Sequence, residues 1–230
     1  MLEQILEYER ETFLWLNGNH NAFWDCFMWL YTGKIVWIPM ILFFAFLLFY
    51  KKDWKEALLV VLSIVLVFAL CDQFSSHICK PYFARFRPTH HPDFMDYVNI
   101  VNGYRGGEYG FISGHAANSF GFATFLLLLF HSRLFTISIL TWSTVMVYSR
   151  IYLGVHFISD IIAGILVGIL LGFGVYRLYI LLRHKFLKKN DNSREIYPNS
   201  RKKLIILALL VTIILMLVYS FYNTIQLNIK

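Results

Sequence analysis

Long apolar runs divide the chain, and the polar residues fall between them. Residues 35–50, 58–70, 161–175 and 204–219 contain no charged side chain. Counted with their flanks, several of these runs reach the ~20 residues a helix needs to cross a bilayer. The pattern predicts six spanning helices, over about 34–50, 55–76, 114–131, 134–152, 156–182 and 204–222. Ahead of them, Leu2, Ile5, Leu6, Phe13 and Leu16 recur at helical spacing, with Glu3, Glu7, Glu9 and Glu11 assigned to the other side. That segment reads as an amphipathic helix on the membrane surface, or equally as one packed on the bundle. Asn17, Gly18 and Asn19 end it. Trp24, Phe27, Trp29 and Tyr31 then form an interfacial aromatic stretch.

The expected fold is therefore an all-α, polytopic membrane helix bundle forming a single domain over residues 1–230. It divides into an interfacial segment (1–33), a core (34–182), a basic connector (183–203) and an additional span (204–222). No internal repeat or low-complexity tract interrupts it. Composition agrees: 58% of residues are hydrophobic and only 15% charged, against roughly 45–50% and 25% in soluble domains. Residues 1–16 lack the basic start of a cleavable signal peptide.

The net charge of +7 would suit nucleic acid in a soluble protein. Here it reads as topology, with no nucleic-acid partner expected. Lys51, Lys52 and Lys55, then Arg133, then the cluster from Arg183 through Lys189 and Arg194 to Lys203 all fall on one side of the six-helix arrangement. The positive-inside rule makes that side cytoplasmic. The same connector is also suited to anionic lipid headgroups. The N-terminal segment, the loop at 80–112 and the turn at 149–156 then face outward, together with both ends of the chain. Cys26, Cys71 and Cys79 are too scattered for a disulfide framework or a metal cluster. Cys71 reads as packing, and Cys26 with Cys79 remains a candidate pair.

Three outward stretches put charge at the ends of apolar segments, where it is expensive. His156 and Asp160 are four apart and would share a helix face. The carboxylate would hold one imidazole nitrogen and leave the other free to attack, although a buried structural pair has the same spacing. Ser113, Gly114 and His115 begin a span, where free N–H groups and the positive end of the helix dipole attract anions. A plain Ser cap beside an interfacial His fits those three residues as well. Lys80, Arg87 and Arg150 add positive charge suited to a phosphoryl group, or to ordinary snorkelling at the interface.

Together the stretches resemble the type 2 phosphatidic acid phosphatase family. Its first motif, Lys-x6-Arg-Pro, is matched by Lys80 through Arg87 and Pro88. Its Pro-Ser-Gly-His motif is matched by Ser113, Gly114 and His115, with Ile112 where Pro is usual. Its Ser-Arg-x5-His-x3-Asp motif is matched by Ser149, Arg150, His156 and Asp160. The resemblance covers about 80–160 closely.

It implies a metal-independent, cofactor-free enzyme with catalytic His156, His115 and Asp160. Lys80, Arg87, Ser113, Gly114 and Arg150 would bind phosphate. The implied substrate is a membrane lipid phosphate at the outer face of a bacterial inner membrane: undecaprenyl diphosphate or lipid A first, then phosphatidylglycerol phosphate or phosphatidic acid. No oligomeric state is implied. A metal reading of His90, His91 and Asp93 lacks a fourth ligand. Three rivals keep the same residues: a transporter or channel with an ionisable pore, a vanadate haloperoxidase, and a catalytically dead headgroup binder.

Overall fold

In the computed structural model, which describes residues 2–188 and 196–229, the chain is a helical bundle. Its helices are α1 (Leu2–Asn17), α2 (Ala22–Thr32), α3 (Ile38–Phe49), α4 (Trp54–Asp72), α5 (Lys80–Phe83), α6 (Gly114–Phe130), α7 (Arg133–Tyr152), α8 (Ile158–Leu187) and α9 (Asn199–Ile229). Helices stand at all six expected span positions, but their lengths differ from those expected. Among the described residues, four helical segments are long and apolar enough to cross a membrane: Trp54–Phe83, Arg133–Tyr152, Ile158–Leu187 and Asn199–Leu227. The fifth candidate is bent, with Ala22–Thr32 and Ile35–Phe49 meeting at 67°. Helix α6 is shorter, at 17 residues.

Several boundaries differ from the expected ones. The second span does not end at 76. A π-helical segment, Gln73–Cys79, carries α4 directly into α5, so Lys80 sits on a helix and the long loop begins at Ala84. The connector expected at 183–203 is mostly helix at its two ends, since α8 runs to Leu187 and α9 starts at Asn199. Lys189 and Arg194 lie outside the described residues. Helix α1 packs on the bundle: Phe13 is fully buried, its ring 5.3 Å from that of Phe157 and 6.3 Å from that of Phe94. At its end Asn17 donates through Nδ2 to the carbonyls of Ile151 and Tyr152, at 3.1 and 2.9 Å. Cys26, Cys71 and Cys79 are all free thiols, so the candidate Cys26–Cys79 pair does not form.

The two ends of the bundle differ in chemistry. At one end Arg183 of α8 donates to Glu56 of α4 at 2.8 Å, Lys52 donates to the Ile196 carbonyl at 2.6 Å, and Arg201 donates to the Tyr50 carbonyl. The Arg133 turn follows α6 at this same end. The opposite end collects the C-terminal ends of α5 and α7 and the N-terminal ends of α6 and α8. All three motifs sit there.

The register of that end is set by contact between α6 and α8. Gly164, Gly168 and Gly172 repeat every four residues along α8, so they form one stripe. A Cβ on Gly164 would stand 2.6 Å from the Ser113 carbonyl oxygen, and one on Gly168 would overlap the Ala117 carbonyl. Small residues at this spacing let two backbones touch, which is a common way of packing helices in a bilayer. The close approach also allows Ser113 N–H to donate to the Asp160 carbonyl at 3.0 Å. The second and third motifs are thereby tied together through their backbones.

Candidate active site

His156 is not on a helix. It lies in the turn between α7 and α8, just before the N-cap residue Phe157. Asp160 is the third residue of α8, and its Oδ2 accepts the Phe157 backbone N–H at 3.1 Å. The four-residue spacing therefore works as a cap beside an extended residue, not as two positions on one helix face. The side chains still meet, with Nδ1 of His156 3.4 Å from Oδ2 of Asp160. Both residues are buried, at 2% and 0% exposure.

The second imidazole nitrogen faces a cation. Arg87 Nη1 lies 3.3 Å from His156 Nε2 and also donates to the Val155 carbonyl at 3.2 Å. A guanidinium only donates, so Nε2 is left as an acceptor and the proton belongs on Nδ1, facing Asp160. Burial and the charges of Arg87, Arg150, Lys80 and His115 hold His156 well below the usual imidazole range. It is a neutral base with its free lone pair aimed at Arg87.

The remaining motif residues arrive from separate elements. Lys80 of α5 donates to Ser76 at 3.4 Å. Arg150, near the end of α7, is 2% exposed, donates to the Thr32 hydroxyl at 2.7 Å and lies 5.8 Å from the Tyr104 ring centroid. Lys80, Arg87, Gly114, His115, Arg150 and His156 all line one cavity of about 760 Å³. The rest of its wall is largely apolar, including Ile41, Phe44, Phe68, Phe122 and Leu209. A cavity with a cationic head and a hydrocarbon wall suits an amphiphile with an anionic group.

Two of the predicted site residues stand back from this cavity. Asp160 supports His156 from behind. Ser113 is fully buried and occupies the N-cap of α6, where its hydroxyl faces the Ala116 N–H at 3.5 Å. Its side chain is thus on the helix cap, while Gly114 and His115 reach the cavity wall.

Sequence reasoning missed Arg85, Glu9 and Ser159. Arg85 Nη1 donates to Asp160 Oδ1 at 2.7 Å and to Ser159 Oγ at 2.6 Å, while its Nη2 donates to Glu9 Oε1 at 2.8 Å. The signal for Arg85 was alternation. Phe86 bridges to Tyr109 as in a short antiparallel pair. Arg85 and Arg87 therefore point the same way, inward, with Phe86 pointing out at 38% exposure. The signal for Glu9 was its place in the stripe. It sits three after Leu6 and four before Phe13, on the inner face of α1 and not on the polar one.

The loop at 84–113 closes over these groups. Gly110 passes so near that a Cβ there would be 2.9 Å from Asp160 Oδ2 and 3.2 Å from the Arg87 side chain. His91 is buried and accepts the Asp93 backbone N–H through Nδ1 at 3.2 Å, a local loop bond. Among the described residues no group of three His, Cys, Asp or Glu side chains is arranged to hold a metal ion.

Known proteins are similar to this chain in sequence and in fold. The chain is 50% identical over 186 residues to a lipid A 4'-phosphatase of Porphyromonas gingivalis, covering 81% of this chain and 79% of that protein. It is 40% identical over 186 residues to a lipid A 4'-phosphatase of Bacteroides thetaiotaomicron, covering 80% and 81%. The crystal structure of Aquifex aeolicus LpxE superposes with a TM-score of 0.56 at 25% identity, over 74% of this chain and 95% of that one. Residues 56–184, which contain all three motifs, match the PAP2 superfamily, and to that superfamily this multi-pass membrane protein belongs.

Proposed function

We propose that this protein is a lipid phosphatase that removes a phosphate from lipid A through a phosphohistidine on His156. The carrying observation is the single cavity in which Lys80, Arg87, Arg150, His115 and His156 converge above an apolar wall. Relatives named lipid A 4'-phosphatase, at 50% and 40% identity, put lipid A ahead of undecaprenyl diphosphate, its equal on sequence grounds. Phosphatidylglycerol phosphate and phosphatidic acid rank below both.

The geometry supports the following chemistry. Lys80, Arg87 and Arg150, with the Gly114 N–H, bind the phosphoryl oxygens and offset their charge as it redistributes. His156 Nε2 attacks phosphorus. The bond from phosphorus to the sugar oxygen breaks, and His115 gives that oxygen a proton. His115 then takes a proton from water, whose oxygen attacks the phosphohistidine. The P–N bond breaks, and inorganic phosphate leaves. Asp160 holds the Nδ1 proton and balances the positive charge on the imidazole ring. Lys80, Arg87 and Arg150 around His115 and His156, with the nearest carboxylate, Asp160, bound to Arg85, are a poor donor set for a divalent metal, which supports a metal-independent reaction.

The orientation has similar support. Lys51, Lys52, Lys55, Arg133, Arg183, Arg201 and Lys202 fall at the end opposite the cationic head of the cavity. By the positive-inside rule that head faces the periplasmic side of an inner membrane. The same clustering of ionisable groups at one end weakens the pore reading. An alkaline-phosphatase fusion after residue 222 should be active, and an inactive fusion contradicts this orientation.

The test is phosphate release by the purified full-length chain in EDTA, from lipid A, undecaprenyl diphosphate, phosphatidylglycerol phosphate and phosphatidic acid. Lipid A should show the highest kcat/KM, by at least about tenfold, or roughly 1.4 kcal/mol of transition-state preference. Preference for another lipid overturns the substrate assignment. Release from none of the four overturns the enzyme.

A further inference from the structure

Glu9 lies outside the three motifs and outside the matched segment 56–184, and Arg85 fills an unspecified position within the first motif. Both are nonetheless buried beside the catalytic groups, Glu9 at 8% and Arg85 at 2% exposure. Arg85 lies between two carboxylates, 2.7 Å from Asp160 Oδ1 and 2.8 Å from Glu9 Oε1. Its guanidinium also stacks 4.7 Å from the Phe157 ring centroid, the residue between His156 and α8. Ser159 closes the network, its Oγ donating to Glu9 Oε1 at 2.7 Å and its backbone N–H to Glu9 Oε2 at 2.8 Å.

The charge count gives this network a purpose. Arg85 with Asp160 alone would be neutral, and Asp160 would have little charge left for His156. Glu9 cancels Arg85, so Glu9, Arg85 and Asp160 together hold one net negative charge directly behind the imidazole. A buried charge needs such pairing to remain ionised. The other groups that act most strongly on His156 are Arg87 from the loop, Arg150 on α7, Lys80 on α5 and His115 on α6, all cationic or neutral; Lys34 and Asp72, of opposite sign, line the same cavity. The negative charge that balances a positively charged imidazole therefore comes from the Glu9 side.

We propose that Glu9 and Arg85 are positioning residues of the reaction: they fix the Asp160 carboxylate with Oδ2 toward His156, and they set the net charge behind the nucleophile. On this view α1 is part of the active site and not a membrane anchor alone. The inference rests on the reading of His156 as nucleophile.

The test uses the full-length protein in detergent, with Glu9→Gln, Arg85→Met and Arg85→Lys, measuring kcat, KM and the pH profile on lipid A. Both Glu9→Gln and Arg85→Met should lower kcat by roughly ten- to hundredfold, the usual loss for a residue that orients a catalytic group, with a much smaller change in KM. The acid limb of kcat/KM should move in opposite directions. Removing the Glu9 charge moves it to lower pH, and removing the Arg85 charge moves it to higher pH. Arg85→Lys should return the limb toward the wild-type position. All proteins are compared on one substrate, so ionisation of the phosphate itself cancels.

A role confined to folding predicts unmoved limbs, and limbs that coincide with the wild type overturn the proposal. So do limbs that move the same way. Glu9→Gln is nearly isosteric and keeps an acceptor oxygen, so its limb decides the matter even if Arg85→Met does not fold. A wild-type chain that releases no phosphate from any lipid defeats the phosphatase reading instead.

Discussion

Arg87 approaches His156 through a single nitrogen, Nη1 to Nε2 at 3.3 Å, and anchors its own Nε on the Tyr109 carbonyl at 3.1 Å. One guanidinium thus meets the Nε2 lone pair of His156, and on the proposed mechanism it offers its remaining N–H groups to the incoming phosphate. A lysine has the charge but not the fork. Arg87→Lys should therefore cost about 1.5–3 kcal/mol, the worth of a hydrogen bond to a charged group, or roughly ten- to hundredfold in kcat/KM. Steady-state kinetics with lipid A checks this, and an unchanged kcat/KM removes Arg87 from the reaction.

The depressed His156 titration has a visible consequence. Burial first, and then four nearby groups, Arg87, Arg150, Lys80 and His115, disfavour its charged form. The attacking, neutral form is then present at pH 6.5 and is lost only as pH falls through a value well below it. The acid limb of kcat/KM should lie below the ordinary imidazole range. Arg150→Met removes one of the opposing charges and should move that limb upward. A limb at or above pH 6.5 in the wild type contradicts the assignment.

His115 can be separated from His156 by choice of leaving group. A sugar alkoxide needs a proton as it departs, whereas p-nitrophenolate does not. His115→Ala should slow turnover of lipid A by roughly 10²–10⁴, the usual share of general acid–base catalysis. With p-nitrophenyl phosphate the first step should survive and the second should not. A burst of nitrophenolate followed by a stalled, phosphorylated protein is the expected record in stopped flow. Equal loss on both substrates, with no burst, contradicts this role.

Two glycines of α8 should respond in opposite ways. A side chain at Gly168 meets the Ala117 backbone, while a Cβ at Gly174 meets nothing within 4 Å. Gly168→Val should push α6 from α8, displace His115 relative to His156, and lower both Tm and activity. Gly174→Ala should leave activity intact and raise stability by up to about 1 kcal/mol through helix propensity. Thermal melts of the two purified variants check the pair.

Much of the site was legible because its residues are chemically costly where they stand. Lys80, Arg87, Arg150, His115, His156 and Asp160 occur at the ends of apolar segments, and motif spacing grouped them before any fold was known. The helical class and the grouping of the motifs at one end of the bundle follow from the same runs. Other features were hidden for specific reasons. The π-helical segment after Asp72 keeps the apolar pattern going, so nothing in the pattern marks that the helix extends to Phe83. Glu9 resembles the three other acidic residues of α1 until its position between Leu6 and Phe13 is counted. Arg85 was concealed by its neighbour, since a second arginine beside Arg87 adds nothing to the motif. Its partner on α1 is 76 positions away.

The central claim is that phosphorus passes through His156. Lipid A labelled with ³²P should be mixed with the full-length protein in EDTA, quenched within milliseconds and resolved on a denaturing gel. A phosphohistidine predicts label on the protein that survives base, is lost in acid, maps to His156 and is absent from His156→Ala. Label-free protein during active turnover, or label retained in His156→Ala, would contradict it.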